Sequence, residues 1–292
     1  MTFHIPIMVT EILESLHIEK NDIVLDATAG LGGHSEAFLN KLSSSGLLIC
    51  SDQDNEAISF CQEKFKENTN VKVIKSNFSN ILSSLADLKI TPNKILLDLG
   101  YSSYQLDQSN RGFSFLKDEP LDMRMSQENR LSAKHILHTY SLAQLSDMFY
   151  QHGDLIHNKK LCQNIIDTRK KESFKTTFQL VDCIKKSYFF GNNRKNYMKI
   201  CSQVFQALRI EVNKEFDHIN SFLNQLNEQM TQNSRISFLT FHSSEDRLIK
   251  HWFKKNKELF KPINKKVIQA SQSEILQNSR SKPAKLRTYI KL

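Results

Sequence analysis

Four short apolar runs alternate with segments of helical period between Asn21 and Gly100. NDIVLDATAG reads as a strand ending in Asp26 and a glycine turn, HSEAFLNKLSSSG as a helix, and GLLICSDQD as a second strand. EAISFCQEKFKEN is helical again, VKVIKSNF a third strand, SNILSSLADLKI a helix and KILLDLG a fourth strand. Short runs without a polar face need a sheet covered on both sides, and helices of about 12 residues between them supply the cover through βαβ crossovers. The expected fold class is α/β, a Rossmann-like, doubly wound and mostly parallel sheet.

After Gly100 the alternation stops. Residues 106–203 hold helical patterns such as SLAQLSDMFYQ, with Ser141 as N-cap, and TTFQLVDCIKKSYFF, but no strand pattern. A long helix is expected next, because Val204, Leu208, Val212, Phe216, Ile219, Leu223, Leu226 and Met230 repeat every three or four residues. SRISFLTF reads as a strand, Ser244 to Lys257 as a helix carrying the only tryptophan, and NKKVIQAS and LRTYIKL as late β pieces. The expected division is a sheet core from 1–105 and 204–292, interrupted by an all-helical insertion at 106–203 that recognises substrate.

The 292 residues carry a net charge of +9, distributed unevenly. From Asn158 to Lys199 there are 11 basic and 3 acidic residues, from Arg247 to the end 13 and 2, and the remainder is net acidic. Two basic regions on an acidic body suggest a polyanion held on defined surfaces, with a lysine-rich solvated surface as the alternative. No run approaches the roughly 18 apolar residues of a membrane helix, and the start lacks signal-peptide order. A cytoplasmic protein without a membrane partner is expected. The five cysteines, at 50, 61, 162, 183 and 201, form no C-x-x-C, so neither a disulfide framework nor a cysteine metal site is expected.

Asp26 to Ser35 read DATAGLGGHS. Glycines at 30, 32 and 33 permit positive φ and a close approach of ligand to backbone. The dinucleotide fingerprint would need glycine where Ser35 stands, whereas acid-x-x-x-G-x-G suits S-adenosylmethionine; an NAD-dependent oxidoreductase is the weaker alternative. Asp52, at the end of the second strand, is placed to accept both ribose hydroxyls, with Asp54 as competitor. Phe78 ends the third strand, where its ring would pack on adenine or serve as core. Asp98 ends the fourth strand facing the same crevice, since ligands of doubly wound sheets lie beyond the carboxyl ends of strands. It is the candidate catalytic residue: methyl transfer to an exocyclic amine needs in-line approach and a carboxylate, with the Leu99 carbonyl, to stabilise positive charge growing on nitrogen. His34 and His242 read as structural histidines, no metal-binding spacing being present.

The runs DATAGLGGHS, LLDLGYSSYQLD, RGFSF with PLDMRM, FQALRIEVNKE, FHSSEDR and KLR, in this order, resemble the MraW family of bacterial 16S ribosomal RNA N4-cytosine methyltransferases. The resemblance implies a class I methyltransferase core with a helical insertion, S-adenosyl-L-methionine as cofactor, and as partner the 16S ribosomal RNA of the small subunit, methylated at a cytidine of the decoding region. A homodimer is compatible with it. The donor contacts it implies are Gly32, Gly33, His34, Asp52, Phe78, Asp98 and Gln105. The chain departs from the usual family pattern at Tyr104, where the family has proline, and at Gln203, where arginine is common. A non-catalytic RNA-binding or ribosome-assembly factor on the same fold is the alternative from another class.

Overall fold

The computed structural model describes residues 6–100, 110–126 and 129–292. Two compact units emerge. One takes in the described residues up to Gly100 together with Asp217–Leu292, the other the described residues between them up to Phe216.

The first unit is built on a mixed sheet. Its strands are β1 (Ile23–Asp26), β2 (Leu47–Asp52), β3 (Val71–Lys75), β4 (Lys94–Asp98), β5 (Arg235–Thr240), β6 (Phe260–Pro262), β7 (Ile268–Gln269) and β8 (Lys285–Lys291), in the order β3-β2-β1-β4-β5-β8-β6 with β7 beside β8. β1 to β5 run parallel and β8 antiparallel to β5. Val24, Leu25, Leu48, Ile49, Cys50, Ile95, Leu96 and Leu97 are fully buried, as expected of parallel strands covered on both faces. Strand order reverses between β1 and β4, so a crevice opens beyond their carboxyl ends. Asp26, Asp52 and Asp98 are the last residues of β1, β2 and β4.

Helices α1 (Val9–Leu16), α2 (Gly33–Leu39), α3 (Asn55–Lys64) and α4 (Phe78–Asp87) accompany these strands. α1, whose Ile12 and Leu16 are fully buried, is not among the elements the sequence pattern predicts. The third strand is shorter than its sequence pattern predicts: β3 stops at Lys75, and Asn77 caps α4, its side-chain oxygen accepting from Ser79 N–H at 2.9 Å. Phe78 opens a helix rather than closing a strand. β6 was a further omission.

The helical unit holds α5 (Ala133–Thr139), α6 (Leu142–Gly153), α7 (Lys159–Lys171), α8 (Thr177–Ser187) and α9 (Arg194–Asn213) around a core that includes Phe149, Leu161, Ile184 and Leu208. Ser141 caps α6 in a capping box with Gln144, as read from the sequence. The expected single long helix is two, α9 and α10 (Glu215–Gln229), separated by Lys214 in the left-handed region at φ 51. The apolar stripe carries on through the break: Val204, Leu208 and Val212 join the helical core, and Ile219, Leu223, Leu226 and Met230 are buried beyond it. The boundary between units follows Phe216, beyond the expected 203, because the Cys201 to Val212 face of α9 packs into the helical core.

Candidate active site

The carboxyl end of β1 sets the geometry. Asp26 is buried and accepts from Ser35 Oγ at 2.6 Å and from Thr28 N–H at 3.4 Å. Burial pushes its carboxyl from 3.8 up to about 6; His34 and the Ser35 hydroxyl oppose that rise, while Asp98 adds to it. Sequence reasoning saw Asp26 only as a strand end, although the acid-x-x-x-G-x-G spacing was the signal for it. Asp26 fixes the turn after β1, so Thr28 is in place to accept Asp98 N–H on its Oγ1 at 2.8 Å.

The glycines of the turn do different work. Gly30 has φ 52, and a Cβ built there would meet no atom within 4 Å. It is an open cradle that a side chain would fill. Gly32, at φ 70, precedes α2, and a Cβ there would lie 3.0 Å from the Phe65 ring; at Gly33 it would lie 3.1 Å from Pro6. Gly32 is therefore needed for backbone conformation and packing together.

Asp52 reaches the turn from β2. Its Oδ2 accepts Gly30 N–H at 2.9 Å and its Oδ1 accepts Asp54 N–H at 2.9 Å. Burial raises its pKa against those two bonds. A carboxylate has about four lone-pair positions, so Asp52 can hold the glycine turn through its backbone bonds and still accept from a ligand. Asp54 is spent on capping α3, accepting Glu56 N–H at 3.0 Å.

Asp98 and His34 face each other, His34 Nε2 standing 3.6 Å from Asp98 Oδ2. That is an ion-pair distance and too long for a good hydrogen bond. The His34 side chain is 8% exposed, that of Asp98 23%. Both ring nitrogens of His34 are buried without a hydrogen-bond partner among the described residues, and such groups normally find one. Unpaired buried nitrogens beside an open glycine are what a polar ligand in this crevice would complete, so the residues present fit a nucleoside-bearing methyl donor. Phe78 is half-buried, its ring edge-on to His218 and Phe222 with centroids 6.1 Å apart in each case.

The structure thus brings Gly32, Gly33, His34, Asp52 and Asp98 to one end of the sheet. Gln105 and Tyr104 lie outside the described residues. His242 caps α11 (Ser243–Lys255) in a capping box with Glu245, its Nε2 2.8 Å from Glu245 Oε1. Glu245 in turn accepts Phe241 N–H at 3.0 Å. The FHSSEDR and KLR runs meet through Arg287 and Asp246, with Nε to Oδ1 at 2.6 Å and the second arm at 3.2 Å. In the helical unit, Arg209 and Glu215 of the FQALRIEVNKE run form a buried two-armed pair at 2.7 and 2.9 Å. Asn213 of that run accepts Met125 N–H at 2.8 Å and donates to Met123 O at 2.8 Å, clamping the PLDMRM run. Gln203 donates to Asp154 O at 3.5 Å.

Known proteins resemble this chain along nearly its whole length. The model of the MraW methylase family matches residues 1–292. Over 310 aligned residues the chain is 38% identical to the ribosomal RNA small subunit methyltransferase H of Clostridium botulinum strain Loch Maree, covering 99% of both chains. It is 37% identical to the enzyme of that name from Dictyoglomus turgidum, covering 97% of this chain and 96% of that one. Against the namesake from Campylobacter fetus identity is 38%, over 98% of this chain and 97% of the relative. With the family model matching the whole chain and relatives 37–38% identical along nearly its whole length, the chain belongs to the MraW methylase family.

Proposed function

We propose that this protein transfers a methyl group from S-adenosylmethionine to N4 of a cytidine in the decoding region of 16S ribosomal RNA. Membership of the MraW methylase family, and relatives named as small-subunit ribosomal RNA methyltransferases, make it an S-adenosylmethionine-dependent methyltransferase of that RNA. A cytidine N4 is the target that the family resemblance implies, and the assignment of the residues that act on it rests on the site. One observation carries it: Asp98 ends β4 within 3.6 Å of His34, partly open to the crevice.

The donor supplies an electrophilic methyl on a sulfonium centre. Asp52 and the open backbone at Gly30 are suited to a ribose and its neighbouring groups, Phe78 offers an apolar ring to a base, and the unpaired His34 nitrogens offer polar contacts. Asp98 is the acceptor for an amine N–H of the target base. It orients the amine for in-line approach and stabilises the positive charge that grows on nitrogen as the N–C bond forms. A base held in a stack cannot present its amine to this pocket, so the target enters unstacked. Work on ribosomal RNA also implies the cytoplasm as its location. No helix among the described residues is long and apolar enough to cross a membrane.

The test is transfer of labelled methyl to small ribosomal subunits that lack the modification, followed by nucleoside analysis. Label in N4-methylcytidine is expected. Label on a ring carbon, or none with wild-type protein that binds the donor, would overturn the assignment.

A further inference from the structure

The turn joining α8 to α9 carries an aromatic side chain that the active site does not use. Tyr188 and Phe190 point inward, their ring centroids 6.0 Å apart and Phe190 5.3 Å from Tyr197, and all three pack against the helical core. Phe189, between them, is 95% exposed. Gly191, at φ 50, turns the chain immediately afterwards, and a Cβ built there would lie 3.7 Å from Phe189 Cε1, so the turn itself flanks one edge of the ring. Lys185 and Lys186 precede the ring on the last turn of α8, and Arg194 and Lys195 follow it on the first turn of α9. Lys199 stands one helical turn beyond Lys195. Lys185 pairs with Asp182 at 3.3 Å, whereas Lys186, Arg194, Lys195 and Lys199 make no ion pair with any described residue.

A lone ring in water is unfavourable, and the cations on the helix turns that flank it in the chain decide what covers it. An apolar protein surface would strip water from unpaired cations and return no counter-charge. A single nucleic-acid strand returns both partners at once: phosphates for the cations and a π face for the ring. We propose that Phe189 is a stacking platform for an unpaired base of the substrate RNA, with Lys186, Arg194 and Lys195 gripping the flanking phosphates. This rests on the reading of the protein as a ribosomal RNA methyltransferase and adds a second, non-reacting base to its substrate. Exposed aromatics on a basic surface are how proteins read single-stranded loops.

The experiment measures affinity for small ribosomal subunits lacking the modification across a salt series, together with methyl transfer and donor binding. Phe189→Ala should weaken subunit binding about 5- to 50-fold, with the salt slope and donor affinity unchanged, because no charge is removed. Phe189→Trp and Phe189→Tyr should restore binding. Lys186→Ala with Arg194→Ala should instead reduce the salt slope by about 1.4, two single-strand phosphates' worth. Unchanged binding for Phe189→Ala, or full binding by Phe189→Leu, would overturn stacking while wild-type methyl transfer left the enzymatic reading standing. Wild-type protein that neither binds nor methylates the subunit would bring down both.

Discussion

Carboxyl groups of the two units are perturbed in opposite directions. At the strand ends of the sheet unit burial dominates, raising Asp26 to about 6 and Asp52 above its ordinary value. In the helical unit the bond from His152, with help from Lys214 and Tyr140 against burial, lowers Glu211 to about 2. Asp122 is also lowered: burial would raise it, but the bonds and charge of Arg124 outweigh that. A carboxyl group short of cations keeps capacity for a visitor, whereas one saturated with them is structural. The sheet unit therefore holds strained polar groups at a crevice, as catalytic sites do, and the helical unit spends its polar groups on holding itself together.

The largest effect expected from breaking that contrast is in the helical unit. Arg209→Met leaves Glu215 buried without its partner, which costs about 3–5 kcal/mol. Adding Glu215→Leu should recover most of the loss, since a buried pair replaced by apolar side chains is often neutral. Urea unfolding of the single and double variants reads this directly, and a single variant as stable as wild type would show that the pair does not staple the unit.

Asp98→Ala should come next, lowering turnover about 100- to 1000-fold. RNA affinity should hardly change, because phosphate contacts dominate it. Asp98→Asn keeps the shape and removes the charge, so comparable loss identifies electrostatics, while full activity would remove Asp98 from the charge-stabilising role. Single-turnover methyl transfer separates these outcomes from binding.

The raised Asp26 gives a pH signature. Its folded pKa of about 6 exceeds the ordinary 3.8, so the stability it contributes is fully present below about pH 4 and is lost as pH rises through 6. The difference amounts to about 3 kcal/mol at about 1.4 kcal/mol per unit. Asp26→Asn should flatten the pH dependence of unfolding between about pH 4 and 6. Below that window Glu211 acts in the reverse sense, its stabilisation being lost as pH falls towards 2. An unchanged profile in Asp26→Asn would mean that the crevice is not the source of the strain.

Asp52→Ala sharpens the comparison least. It removes an acceptor and frees Gly30 N–H, and donor binding should weaken by about 1–3 kcal/mol. Calorimetry with S-adenosylmethionine measures it, and unchanged affinity in a folded variant would leave Asp52 as a brace for the turn alone.

Much of this molecule was written in its sequence. Strands buried on both faces need apolar residues at every position, so β1, β2 and β4 stood out, and with them the acids at their ends. The parallel α/β class, the methyl-donor turn and the basic segments followed from patterns short enough to survive without three-dimensional context. Tertiary structure decided the rest. The apolar spacing from Val204 to Met230 runs on past Lys214, because one left-handed residue ends a helix without changing which residues are apolar. α1 and β6 take their burial from distant segments, and Asp246 finds Arg287 across 41 residues of chain. Whether a carboxyl group is strained or saturated was equally hidden. Sequence records that Asp26 and Glu211 are acids, but desolvation depends on what covers them and stabilisation on which cations arrive, and both are properties of the folded surroundings.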